Sequence, residues 1–298
     1  MKADRESRTA EGMAAARAAE TYRPPAERLF EDPFARGFLR PLYRALVEIS
    51  RFGPLRDLLA GLYDRRLPGA VANAICRTRF IDDALRRALA DGIDQVLILG
   101  AGFDSRAYRI AGIERVRVFE VDHPATQRSK RERLSRMIGP LPPHVVFVPV
   151  DFDKHKLGDA LALAGFRSGA RTFVIWEGVT GYLTPDAVDA TFCTVSSTTA
   201  PGSRIVFTYL DRGLLDGSAR FEGAEEVIAY VKKAGEPFTF GFDPDDLAHY
   251  LGERGLERVE DVGAEDYKAL YFPGREPPAR ISAFARIGIA RVITAAHA

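Results

Sequence analysis

The chain has 298 residues, 46% of them apolar and 28% charged, the composition of a globular protein with a sizeable core. Its 42 basic and 41 acidic residues leave a net charge of +1, so no overall field points to nucleic acid or an anionic membrane as a partner. Cys76 and Cys193 stand far apart and outside any metal-ligand spacing. That argues against a disulfide framework or a zinc site and fits a reducing compartment. No run has the pattern of a signal peptide or the length of a membrane span, and the cytoplasm is the expected location.

Thr9 to Glu20, alanine-rich with Glu11 early, predicts a helix ended by Tyr22 to Pro25. Asp32 and Pro33 have the chemistry of an N-cap and a first helical position. The segment that follows is broken around Pro41 and Pro54. Its Phe34, Phe38, Leu39, Leu42, Leu46 and Ile49 recur at largely helical spacing and are expected to face the core. Residues 1–75 therefore read as a helical cap, whose N-terminal segment is expected either to move as a lid over the active site or to pack permanently on the sheet. Val71 to Ala90 predicts another helix.

Val96 to Leu99 is a short continuous apolar run, as in a strand buried on both faces of a parallel sheet. It stops at Gly100, Ala101 and Gly102, where glycine lets the backbone turn sharply and approach a ligand. A second run, Val116 to Val121, contains Glu120 and ends on Asp122. A carboxylate about 20 residues beyond the glycines can accept hydrogen bonds from both hydroxyls of a ribose. Glu120, on the same strand face, is the alternative ribose ligand or a buried partner for a neighbouring base. The dinucleotide fingerprint would need glycine at 105, where the chain has Ser105, and Asp104 has the wrong sign for a pyrophosphate. An acidic glycine loop suits a ligand with an ammonium and a ribose but no phosphates, and S-adenosyl-L-methionine is such a ligand.

Further along, Arg106 to Ile110 and Ala125 to Met137 predict helices, and Val145 to Pro149 a third strand leading to Val150, Asp151, Phe152 and Asp153. Leu157 to Ala164 is helical, and Thr172 to Trp176 is a fourth strand followed directly by Glu177. Thr184 caps a helix over Pro185 to Thr199, and Arg204 to Tyr209 is a fifth strand. Strand–helix alternation of this kind predicts a doubly wound parallel sheet. In the tail, Ala224 to Ala234 and Pro244 to Arg254 are helical. Glu257 to Val262 and Ile281 to Val292 hold two closing strands, expected at an antiparallel edge. No linker divides the chain, which reads as one domain with a cap (1–75), a cofactor-binding core (76–210) and a C-terminal completion of sheet and substrate pocket (211–298).

Four ordered segments resemble the leucine carboxyl methyltransferase family, including its bacterial relatives in polyketide pathways. They are Arg77 to Asp83 (RTRFIDD), Leu99 to Arg106 (LGAGFDSR), Phe119 to Pro124 (FEVDHP) with Lys130, and Trp176 to Thr184 (WEGVTGYLT). Arg17 to Glu20 and Asp32 to Ala35 also match the bacterial branch. The resemblance implies an α/β class I methyltransferase fold, Rossmann-like, with a mostly parallel seven-stranded sheet, helices on both faces and an N-terminal helical cap.

It further implies that S-adenosyl-L-methionine is bound with Arg77 on its methionine carboxylate, Gly100 to Gly102 and Asp104 at the loop, and Asp122 on the ribose. Asp151 matches the acceptor for the adenine amino group, with Asp153 as alternative, and Phe152 lies along the base. Glu177 matches the glutamate near the amino group or sulfonium, and Tyr182 either lines the methyl-transfer face or is a core tyrosine. His123 reads as structural or surface. The implied activity is O-methylation of a small-molecule carboxylate or hydroxyl, as in secondary metabolism; the balanced charge and the lack of a spanning run lead us to expect no nucleic-acid or membrane partner. A protein C-terminal carboxyl methyltransferase, or a regulatory protein that keeps the cofactor pocket without turnover, are the alternatives.

Overall fold

In the computed structural model, which describes residues 8–151 and 156–293, seven strands form one sheet in the order β3-β2-β1-β4-β5-β7-β6. These are β1 (Gln95–Leu99), β2 (Arg117–Asp122), β3 (Val145–Pro149), β4 (Thr172–Trp176), β5 (Arg204–Leu210), β6 (Leu256–Val262) and β7 (Ala285–Val292). The first five pair in parallel, with Leu97 opposite both Phe119 and Val174. The expected antiparallel edge is present: β7 runs against both β5 and β6.

Strand alternation divides the core in two. Val96 and Ile98 face one side, where α4 (Ala70–Ala90) contributes Phe80, Ile81 and Leu85. Leu97 and Leu99 face the other, where α7 (Leu157–Leu163) and α8 (Pro185–Thr198) contribute Leu161, Val188 and Phe192. Both faces of the central strands are thus apolar, as continuous rather than alternating hydrophobic runs require.

The remaining helices are α1 (Arg8–Thr21), α2 (Pro41–Ile49), α3 (Gly53–Asp64), α5 (Arg106–Arg109), α6 (Pro124–Ile138), α9 (Gly213–Asp216), α10 (Ala224–Ala234), α11 (Leu247–Gly252) and α12 (Ala264–Tyr271). Three expectations need correction. The stripe Leu42, Leu46, Ile49 is 70%, 40% and 41% exposed rather than in the core, whereas Phe38 and Leu39 are buried. Helical spacing identifies a face that gains from burial, but not what covers it; α2 turns Val47 inward instead. Asp32 accepts hydrogen bonds from the Phe34 and Ala35 amides as an N-cap does, yet the element it starts is one 3₁₀ turn, Ala35–Phe38. The helix expected from Pro244 begins only at Leu247. The unexpected α12 starts where Asp266 accepts from the Gly263 amide, and it buries Tyr267 edge-on to Phe80.

Candidate functional site

In an open parallel sheet, ligands bind beyond the carboxyl ends of the strands where the winding reverses. Here that point lies between β1 and β4. The glycine loop leaves β1, Glu177 leaves β4, and Asp122 ends β2.

The glycine loop is shaped by backbone conformation and close approach. Gly100 has φ +63°, and a Cβ built there would lie 2.4 Å from Val179 Cγ2, so both strain and space exclude other residues. Ala101 is buried, and its amide donates to the Val121 carbonyl, tying the loop to β2. Gly102, at φ +43°, lies beneath Ala10 of α1, 3.6 Å from its would-be Cβ. Its amide donates to Asp122 Oδ2, and the His123 amide donates to Oδ1 at 2.6 Å. Burial raises the Asp122 pKa, a shift these two N–H donors only partly oppose. Each carboxylate oxygen has a second lone pair, so Asp122 keeps acceptor capacity for hydroxyl donors. His123 has the structural part expected of it: its Nδ1 accepts from the Ala125 amide at the start of α6.

Beside the loop runs a continuous line of charge. Arg77 Nε lies 2.8 Å from Glu177 Oε1, and Arg106 holds the other oxygen at 2.7 Å. Arg106 also reaches Asp104 at 2.5 Å and Asp82 at 2.8 Å. Asp82 pairs with Arg109 at 2.5 Å. Asp32 lies 3.8 Å from Arg109, accepts from Ser105 at 2.6 Å, and pairs with Arg17 of α1 at 2.8 Å. Arg17 also donates to the Phe103 carbonyl at 2.6 Å. Four guanidiniums and four carboxylates thus link the N-terminal helix to the end of β4.

The inner members are almost fully buried: the side chains of Arg106, Arg109, Asp82 and Asp32 are 3%, 4%, 0% and 0% exposed. Charges so placed persist only because each is paired. Burial alone would raise Glu177, but Arg106 and then Arg77 outweigh it and hold its carboxyl below the usual range. For Asp104 the same contest, won mainly by Arg106 and Lys130, lowers the pKa to about 2.

Arg77, Gly100, Ala101, Gly102, Asp104, Asp122 and Glu177 thus meet around the strand ends. Asp151 is the second residue after β3, and the Val150 amide between them donates to the Asp122 carbonyl at 2.9 Å. Phe152 and Asp153 lie outside the described residues. Tyr182 is in the 3₁₀ turn Thr180–Tyr182, its ring 5.4 Å from that of Phe238. Glu120 faces Lys130 at 2.8 Å, both 1% exposed, which is the buried acid–base pairing considered for it. Arg79 points away from the site, to Asp83 at 2.7 Å. Sequence reasoning missed the parts of Asp82, Arg106 and Arg109. The available signal was two arginines three apart directly after the glycine loop, in a chain whose preceding helix carries two adjacent aspartates.

A sequence profile described as leucine carboxyl methyltransferase matches residues 10–196. A Streptomyces coelicolor protein named as an S-adenosyl-L-methionine-dependent methyltransferase is 39% identical over 209 residues, 70% of each chain. One from Streptomyces avermitilis with the same description is 35% identical over 272 residues, 91% of this chain and 90% of its own. One from Bacillus subtilis is 33% identical over 214 residues, covering 72% and 69%. Among solved structures, a Thermobifida fusca protein described as a methyltransferase superposes with a TM-score of 0.56 over 93% of this chain and 97% of its own. At 19% identity, that likeness concerns the fold.

Proposed function

The chain belongs to the leucine carboxyl methyltransferase family and is an S-adenosyl-L-methionine-dependent methyltransferase, and from that premise we propose that it methylates an oxygen, foremost a carboxylate, of a small molecule. The observation that carries this reading is the pair Arg77–Glu177 beside the glycine loop. A cation and an anion side by side complement the carboxylate and ammonium of the cofactor's amino-acid end. A planar guanidinium can hold a carboxylate bidentately and keeps its charge. In this reading Arg77 takes the carboxylate, Glu177 the ammonium, Asp122 the ribose hydroxyls, and Asp151 with Phe152 the adenine. Gly100, Ala101, Gly102 and Asp104 shape the loop beneath them.

The cofactor supplies an already activated methyl group for in-line displacement, and the protein supplies orientation and exclusion of water. Arg106 keeps Glu177 charged and fixed. With a guanidinium on each oxygen and a depressed pKa, Glu177 is a poor proton acceptor. That favours an acceptor already ionised at neutral pH, a carboxylate, over a hydroxyl that must lose a proton. In this reading Tyr182, whose ring lies 5.4 Å from that of Phe238, lines the acceptor side. A second reading, methylation of a protein's C-terminal carboxylate, is favoured by the family description alone.

Transfer of radiolabelled methyl groups to small carboxylic acids, small phenols and peptides with free C-termini separates these readings. The expected product is a small-molecule methyl ester, which releases its label as methanol in mild alkali. Alkali-stable label in a phenol ether would overturn carboxylate methylation, and label confined to peptide or protein C-termini would overturn the small-molecule reading.

A further inference from the structure

Lys130 is a deeply buried cation beneath the glycine loop, with 1% of its side chain exposed. It projects from α6, whose other charged residues are exposed or half-buried. An ammonium out of water is costly unless paired, and its partner is Glu120 of β2, 2.8 Å away and equally buried. Packed apolar side chains of the same size commonly stabilise a fold as well as such a pair does. Stability alone therefore gives no reason for a lysine here.

The position of the ammonium supplies one. Lys130 Nζ also lies 3.5 Å from the carbonyl oxygen of Ala101. That oxygen closes the turn of the glycine loop by accepting from the Asp104 amide at 2.7 Å. The Ala101 carbonyl and the Gly102 amide are the two ends of one planar peptide group. The Gly102 end donates to Asp122 Oδ2. Lys130 and Asp122 thus hold the same peptide from opposite ends. A cation at the carbonyl polarises the group and strengthens its N–H as a donor. Burial pushes the Asp122 pKa up, and Lys130 is one of the groups that oppose it, after the Gly102 and His123 amides. The Tyr108 ring, its centre 5.8 Å from Nζ, flanks the ammonium on the α5 side.

We propose that Lys130 is a positioning residue for the cofactor: it fixes the Ala101–Gly102 peptide, so that the glycine loop and Asp122 meet the ribose as one unit. Glu120 is the counter-charge that lets a lysine be buried at that point. The proposal rests on the reading of Asp122 as the ribose ligand. Lys130 acts through the peptide and not on the cofactor itself, so its contribution depends on Asp122. A pair that served packing alone would contribute to stability, and its removal would act on cofactor affinity independently of Asp122.

Calorimetry with S-adenosylhomocysteine tests this on the full chain in four forms: wild type, Asp122→Asn, Glu120→Gln with Lys130→Met, and all three substitutions together. Lys130→Met alone would leave Glu120 buried and unpaired, whereas the paired replacement removes both charges at once. The Ala101 carbonyl keeps the Asp104 amide as its donor. Urea unfolding of the paired variant is therefore expected to stay near that of wild type, while its S-adenosylhomocysteine affinity falls by roughly tenfold. Added to Asp122→Asn, the same pair of substitutions is expected to cost less than about threefold further, because the peptide they release no longer presents a charged ribose ligand. Wild-type affinity in the paired variant would overturn the proposal, as would losses that simply multiply in the triple variant. A paired variant that does not fold would assign Lys130 and Glu120 to folding and overturn it likewise. Unchanged affinity in Asp122→Asn alone would overturn the ribose reading and this proposal with it. A loss in Asp122→Asn without one in the paired variant would overturn this proposal only.

Discussion

Arg77 and Arg106 both touch Glu177, but they differ in burial and therefore in the expected result of removal. Arg77, 17% exposed, is the proposed cofactor ligand. Arg77→Ala is expected to cost about 2–4 kcal/mol of cofactor affinity with the fold intact by circular dichroism, and Arg77→Lys to recover only part of it. Arg106 sits at the junction of three carboxylates. Arg106→Ala leaves buried negative charge unpaired and is expected to destabilise the protein by about 3–5 kcal/mol in urea unfolding. The carboxylates make two opposite pH predictions. Asp104 titrates at about 2 in the folded chain against an ordinary 3.8, so its contribution to stability is complete above pH 3.8 and lost as pH falls through about 2. Glu177 shifts in the same direction and acts likewise. Asp122 shifts upward. Its charge, and with it S-adenosylhomocysteine affinity, is expected to fade on acidification before an ordinary aspartate would protonate, and Asp122→Asn should flatten that pH dependence in calorimetry.

Among the elements, α1 has the least conventional place: it lies outside the sheet, with Ala10 over Gly102 and Arg17 on the Phe103 carbonyl. Its buried face is largely small alanines, Ala14 and Ala18 among them, so it gains little from burial and depends on Glu11 and Arg17 for polar anchorage. A helix held this way is suited to open locally, as a lid does. Amide exchange across residues 8–21 is expected to be fast in the free enzyme, to slow when cofactor and acceptor are both bound, and to quicken in Arg17→Ala. Strong protection unchanged by ligands would instead mark permanent packing. The sheet strands were legible because buried parallel strands are short, unbroken apolar runs ended by glycine or acid, and β3 and β4 match the expected bounds residue for residue. Helices with a partly exposed stripe were less legible. Leu42 and Leu46 have core spacing but face outward, and periodicity carries no information about which partner a stripe meets.

At the scale of the whole molecule, the same division holds for the site. Residues adjacent to strand ends, such as Gly100, Asp122 and Glu177, could be placed from sequence because chain direction and fold class put them at one edge. The links between distant segments could not: Asp32, Asp82, Arg106 and Arg17 meet only after the cap folds onto the loop. The proposed cofactor site is one arrangement, a zwitterion held between Arg77 and Glu177 beside a ribose held by Asp122. Calorimetry with S-adenosylhomocysteine and with methylthioadenosine, which lacks the amino-acid end, tests it most directly. Wild type is expected to bind S-adenosylhomocysteine at micromolar Kd or tighter, on the order of −8 kcal/mol, and methylthioadenosine about 2–4 kcal/mol more weakly. In Arg77→Ala that difference should largely vanish while methylthioadenosine affinity is kept. An undiminished difference in the variant, or wild-type binding that ignores the amino-acid end, would contradict the account.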